Sequence, residues 1–161
     1  MEHMFFQYNE EPRLRSKNLW KSRPTDSGWD IRSNQEVTLF ANDWLVLHTG
    51  LHVHIPLGLT GLIKSRSSLA VNHHVECSNA GVIDHGFTGE VVIKLYNWSQ
   101  YDYKIQFGMR IAQLILVPSF CTDLSSLCRY EFPTQVPELD LRDWPVYERG
   151  SRGLGSTDKE V

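Results

Sequence analysis

Three cysteines, Cys77, Cys121 and Cys128, cannot all pair within one chain of 161 residues. A disulfide scaffold is therefore excluded, and free thiols in a reducing compartment are expected. No apolar run approaches the roughly 20 residues a spanning helix needs, and Met1-Glu2-His3 does not open a secretory leader. An excess of one charge is missing as well. Sixteen Lys and Arg against nineteen Asp and Glu leave a net charge of −3 with neutral His, which gives no electrostatic reason to expect a nucleic-acid or membrane partner. There is no internal repeat and no CxxC pair. The expectation is one globular domain, intracellular, in cytoplasm or nucleus.

Helical pattern is scarce too. Only Arg66–Asn72 has helical character, a turn or two at most. What remains is a series of short strands between turn residues: Met4–Gln7, Val37–Phe40, Trp44–Thr49, Leu51–Ile55 and Thr60–Lys64. Gly50 reads as the divider of the third and fourth. Glu90–Tyr96 alternates cleanly, with Val91, Ile93 and Leu95 on one face and Glu90, Val92, Lys94 and Tyr96 on the other. Arg110–Val117 is apolar apart from Arg110 and Gln113 and reads as buried on both sides. Strands at this spacing imply an all-β, jelly-roll-like fold. Residues 119–148, with Pro133, Pro137 and Pro145 among acidic and aromatic residues, read as an arm, and residues 149–161 as a Gly-rich tail.

Five segments carry chemistry. Residues 80–97 hold Asp84 in a turn bracketed by Gly81, Gly86 and Gly89, with Phe87 three residues on. Glycine lets backbone amides approach a planar ligand, the aromatic ring can pack on an apolar face, and the carboxylate is a candidate general base. Asp30 follows Gly28. Arg66-Ser67-Ser68 pairs a guanidinium with two hydroxyls. Arg110 and Gln113 put a cation and an amide on one strand. Arg149 precedes Gly150-Ser151-Arg152-Gly153-Leu154-Gly155-Ser156-Thr157, which lacks the Lys of a P-loop. Forked donors, freed amides and hydroxyls are what a phosphate requires. Singly, each has an ordinary explanation: Ser67-Ser68 as a helix cap, the C-terminal run as a tail, Gly108-Arg110 as a turn and an edge cation. Five in one short chain argue for a site.

In this order the segments resemble the motifs of the homotrimeric deoxyuridine triphosphatase (dUTPase) family, from about Thr25 to Thr157. The likeness is densest in Thr49-Gly50-Leu51 through Arg66-Ser67-Ser68-Leu69-Ala70, in Gly81-Val82-Ile83-Asp84 and in Arg110-Ile111-Ala112-Gln113-Leu114. It implies a β core over residues 1–118, an arm over 119–148 crossing to a neighbouring subunit, a phosphate-closing tail over 149–161, and a trimer with shared sites. The implied reaction is hydrolysis of dUTP to dUMP and pyrophosphate, with Asp84 deprotonating the water that attacks the α-phosphorus. The resemblance gives Arg66, Ser67, Ser68 and Gln113 the triphosphate from one subunit, and Arg149, Gly155, Ser156 and Thr157 a clamp from another. It implies Mg2+ carried on the phosphates, with Asp30 reaching it through a metal-bound water and also pairing with Arg110. Uracil would be read by backbone at Gly81, Val82 and Val92. Phe87 would lie against the deoxyribose, and Leu154 would cover the base.

The chain departs from the family pattern at Ser65 (usually proline), Gly86-Phe87 (Asp-Tyr), Met109 (acidic), Leu154 (Phe) and Asp158 (Gly). Leucine at 154 forgoes an aromatic stack worth about 1 kcal/mol, so a raised KM is expected in place of lost chemistry. Deoxycytidine triphosphate deaminases share the fold, but they need a glutamate where Lys94 stands and an arginine where Val71 stands. A relative retired to an interaction module is the other alternative. A zinc site from His48, His52 and His54, or from His73, His74 and Cys77, is outweighed by ordinary surface or contact histidines.

Overall fold

The computed structural model describes residues 4–8, 19, 21, 23, 25–78, 81–119, 142, 144 and 151. Among these, short β-branched and aromatic runs separated by turn residues form ten strands and one helix. They are β1 (Phe5–Tyr8), β2 (Gly28–Arg32), β3 (Val37–Leu39), β4 (Trp44–His54), β5 (Leu59–Ser65), α1 (Ser67–His73), β6 (Val75–Cys77), β7 (Val82–Ile83), β8 (Glu90–Asn97), β9 (Tyr103–Ile105) and β10 (Arg110–Pro118). One sheet has the order β1-β4-β8-β6, a second β2-β10-β5-β7, and β3 pairs β9. The all-β expectation holds. No helix among the described residues is long and apolar enough to cross a membrane.

The inward faces of both large sheets meet in one buried cluster. Leu47, Leu51, Val53, Val91, Ile93 and Leu95 come from the first, and Trp29, Ile31, Ile63, Ile111, Ala112 and Leu114 from the second. In β8 the alternation read from the sequence is the burial pattern. Buried Asn97 closes one corner: its amide donates to the carbonyls of Leu39, Phe40 and Tyr101, and its Oδ1 accepts from Ser99. A buried polar side chain so fully satisfied fixes a unique arrangement of β3, β8 and the turn into β9.

Two expectations need correction. Gly50 does not divide two strands, because β4 runs through it to His54. The register to β8 slips between His48↔Val92 and His52↔Glu90, so four steps on β4 face two on β8. Gly50 takes φ 68 within that bulge, where a side chain would be strained. Its N–H donates to Glu90 Oε1 at 2.7 Å, while the Thr49 hydroxyl donates to Val91 O and accepts from Leu51 N–H. Nor is β10 buried on both faces. Ile111, Ala112 and Leu114 are buried, but Gln113, Ile115, Leu116 and Val117 are only half-buried, because a polar cavity opens on the face carrying Gln113 and Ile115.

Candidate functional site

Asp30 on β2, Gln113 on β10 and the end of β5 are lateral neighbours, since Gln113 stands opposite both Asp30 and Lys64. Arg66 follows β5 directly. Its Nε donates to Asp30 Oδ1 at 2.9 Å and its Nη1 to Arg110 O at 3.3 Å, while Arg110 Nη1 donates to Asp30 Oδ2 at 3.1 Å. One carboxylate thus aligns two guanidiniums, and the Arg66 bonds use two of its five N–H donors. Gln113 is oriented by donating to Ser65 O at 3.1 Å. Asp30, Arg66, Ser67, Gln113, Gly28 and Asp26 are among the residues around a cavity of about 280 Å³.

Arg66, not a serine, is the N-cap of α1, and no side chain caps it. Ser67 and Ser68 are exposed, so the capping explanation for them fails and both hydroxyls stay available to a ligand. Gly28 is favoured by proximity: a Cβ there would sit 3.0 Å from Gln113 Oε1 and 3.2 Å from Leu114 O, so these neighbours would have to give by a few tenths of an ångström. Ser65, in place of proline, is a hub. Its hydroxyl accepts from Cys77 N–H at 2.8 Å while its carbonyl takes the Gln113 amide. Met109 packs against the core beside Tyr103, whose hydroxyl lies 4.0 Å from its sulfur.

The hairpin lies elsewhere. Gly81 stands against Ile63, where a Cβ would fall 2.5 Å from Ile63 Cβ, and its carbonyl accepts from Ile63 N–H at 2.7 Å. Val82 is 58% exposed. Phe87 N–H closes a turn onto Asp84 O at 3.3 Å with Gly86 at φ 77, the left-handed third position of a tight turn. This is a conformational reason for glycine at 86. The Phe87 ring lies over Gly89, 2.6 Å from where a Cβ would be, and Ser151 O is 3.0 Å from the same point. A second cavity of about 120 Å³ is lined by Gly81 and Val92 together with Ile63, Cys77, Ser78 and Lys94. Lys94 Nζ stands 4.1 Å above the Trp44 ring. Burial pushes the Cys77 thiol up to about 11, partly offset by the Ser65 hydroxyl.

Within one chain the two groups are anchored at opposite ends of β5. Ile83 stands opposite Gly61, near the start of β5, and Arg66 follows its last residue, Ser65. Four strand steps separate Gly61 from Ser65, roughly 13 Å. Arg149, Leu154, Gly155, Ser156, Thr157 and Asp158 lie outside the described residues, as do Cys121 and Cys128. Of the C-terminal part, Trp144 is buried with its ring 6.3 Å from that of His54, and Ser151 reaches the hairpin. Sequence reasoning missed Asp26, Ser78 and Lys94 as cavity walls, and nothing in their local pattern marks them. Among the described residues no three His, Cys, Asp or Glu side chains group to hold a metal. His52 and His85 instead point ring nitrogens at carbonyls.

A family model described as dUTPase matches residues 15–135. The deoxyuridine 5'-triphosphate nucleotidohydrolase of Debaryomyces hansenii is 36% identical over 151 residues, covering 91% of this chain and 85% of that protein. A mutant dUTPase from phage phi11 of S. aureus, whose structure details a structural Mg(II) ion, aligns with TM-score 0.66 at 27% identity over 76% of this chain and 95% of its own. A mutant dUTPase of Staphylococcus bacteriophage 80alpha, solved with dUpNHpp, aligns with TM-score 0.68 at 27% identity over 97% and 98%.

Proposed function

Because the chain belongs to the dUTPase family and is a dUTP diphosphatase, we propose that Asp84 is the base of its reaction and that each site joins the hairpin of one subunit to the Arg66 cluster of another. Asp84 orients and deprotonates a water for in-line attack on the α-phosphorus, releasing pyrophosphate and leaving dUMP. Charge develops on the phosphoryl oxygens, so donors already in place supply most of the acceleration. Arg66, Ser67, Ser68 and Gln113 hold the triphosphate. The Asp30 bridge holds Arg66 in position before substrate arrives, which reduces the ordering cost of binding.

The observation that carries this reading is the separation along β5. With the backbone anchors of base and phosphate cradle roughly 13 Å apart along β5, copies around a closed ring bring the two ends to one α-phosphorus more readily than a single chain does. This supports the homotrimer that the family likeness implies. Arg149, Gly155, Ser156 and Thr157 close over the phosphates, with Leu154 over the base, and residues 119–148 form the arm that delivers them. Ser151 O lies 3.0 Å from the Cβ position of Gly89 in its own chain. In the trimer we assign the corresponding seat to a neighbouring copy's tail.

Uracil enters the slot at Gly81 and Val92, where backbone from Gly81, Val82 and Val92 pairs with its edge and rejects the amino group of cytosine. Phe87 covers the deoxyribose and excludes a 2′-hydroxyl, a mismatch that discriminates strongly. The phosphate cavity carries only oxygen and nitrogen donors from Asp26, Asp30, Ser67 and Gln113 beside its arginine, which fits Mg2+ held mainly by phosphate and water. Asp30 would hold it through a water, and when bound the ion neutralises phosphate charge. A free thiol at Cys77 agrees with an intracellular location.

Pyrophosphate release from dUTP, dTTP, dCTP and UTP tests the reading. Only dUTP is expected to turn over well, and Asp84→Asn is expected to lower kcat by about 10³-fold with little change in affinity. Equal hydrolysis of all four nucleotides, or an active Asp84→Asn protein, would refute it.

A further inference from the structure

Past the bulge at Gly50, β4 and β8 share one further pairing, His52 opposite Glu90, and Phe87 stands in an isolated bridge. Side chains add to this. His85 Nδ1 lies 2.8 Å from Ile55 O, and His52 Nδ1 lies 2.9 Å from Thr88 O. A carbonyl oxygen only accepts, so both Nδ1 atoms carry hydrogen and both rings are fixed in tautomer and direction.

The two bonds run in opposite senses, one from the hairpin to the end of β4 and one from β4 to the hairpin. Between them they bracket Gly86 and Phe87. The His54 ring, 1% exposed, stands edge-on to His85 at 6.0 Å and 68° and fills the space beside the bracket. His85 is bonded through its backbone to Asp84, and Thr88 to Phe87. Anchoring these two residues therefore sets where the carboxylate and the aromatic ring stand.

We propose that His85 and His52 are positioning residues for hydrolysis, a two-way clasp that holds the Asp84 hairpin against β4. The inference rests on Asp84 being the base, as argued above. Each imidazole holds a backbone carbonyl through Nδ1, so the role assigned to it is positioning. Their contribution is alignment, and a misplacement of about 1 Å costs about 10²-fold in rate.

The test compares His85→Ala, His85→Asn, His52→Ala and His52→Asn in the full-length protein. Asparagine Nδ2 stands close to where histidine Nδ1 stood and restores the donor. Each alanine variant is expected to lose about 10- to 100-fold in kcat for dUTP, with the larger rise in KM in His52→Ala, whose bond anchors the limb beside Phe87. Amide exchange over residues 84–90 should quicken while that of β5 and β10 stays unchanged. Each asparagine variant should recover most of the rate and the slow exchange. Alanine variants with parental kcat would overturn the clasp, as would asparagine variants no faster than alanine at an equal melting temperature. A parent unable to hydrolyse dUTP would defeat the reading of Asp84 instead. Exchange over residues 84–90 would then decide the clasp alone, and unchanged exchange in the alanine variants would overturn it.

Discussion

The two ends of β5 are built on different principles. At one end Arg66, Asp30, Arg110 and Gln113 sit on or beside long paired strands, in a register that brings three separate segments into line across a shift between Arg110 and Ala112. Ion pairs hold the cations, and the sheet holds the ion pairs. At the other end the Asp84 hairpin has two ladder pairs to β5, an isolated bridge at Phe87, glycines where neighbours press closest, and histidine-to-carbonyl bonds beside them. A phosphate cradle needs fixed charge, which regular sheet can present. A base slot needs backbone edges that a ligand can reach, and regular pairing would cover them.

The most drastic way to break the comparison is to separate its halves. Asp84→Asn and Arg66→Ala are each expected to be inactive. Co-refolded in equal amounts, they should regain activity if sites are shared as proposed, because a mixed closed trimer would contain one junction between an intact hairpin and an intact cradle. Random assembly predicts about one quarter of parental sites. Pyrophosphate release measures this directly, and no recovery despite demonstrated subunit exchange would place both halves of a site on one chain.

Next in size is Gly81→Ala. Its Cβ would lie 2.5 Å from Ile63 Cβ and 3.2 Å from Ile63 O, and neither β7 nor β5 can yield without losing their pairing. Overpacking of this kind costs about 1–3 kcal/mol, and because Gly81 lines the slot, KM for dUTP should rise. Denaturant unfolding and steady-state kinetics together check it. Loss of stability with an unchanged KM would remove Gly81 from substrate recognition.

A smaller effect sharpens the cradle. Asp30→Asn keeps the shape but removes the charge shared by two guanidiniums. Arg110 is 39% exposed and Arg66 21%, so the stability loss should stay near 1 kcal/mol. The kinetic loss should be larger, since Arg66 is no longer held in place. A drop in kcat/KM with nearly normal melting is the expected pattern.

The cradle was more legible from sequence than the hairpin's support. Arg66, Gln113 and Asp30 announce themselves by residue type, and β-alternation places them on strands. Asp84 and the glycines around it were also legible. What holds them was not. His52 reads as a surface, contact or ligand histidine and nothing local marks His85, because their role depends on the bulge at Gly50, which arises from register between two strands about 40 residues apart. The apolar run of β10 misled for a related reason: whether Ile115 is buried depends on what covers that face, which no local pattern encodes. The capping role of Ser67-Ser68 failed because Arg66 already occupies the cap position.

Cys77 joins the two ends, lining the slot while its N–H is held by Ser65, whose carbonyl orients Gln113. Burial raises its thiol pKa from 9.0 to about 11, so in the folded protein it stays protonated over a range in which the unfolded chain has already ionised. Its contribution to stability is therefore complete below about pH 9 and lost as pH rises towards about 11. At pH 10 the loss is on the order of 1 kcal/mol relative to neutral pH. Other groups titrate in that window, so the measurement is the difference between the parent and Cys77→Ala in urea midpoints at pH 7 and pH 10. The parent should lose the larger share of its stability. Equal losses would mean that the thiol is solvated, and that the space beside Gly81 and Val92 is wetter than an apolar face for uracil requires.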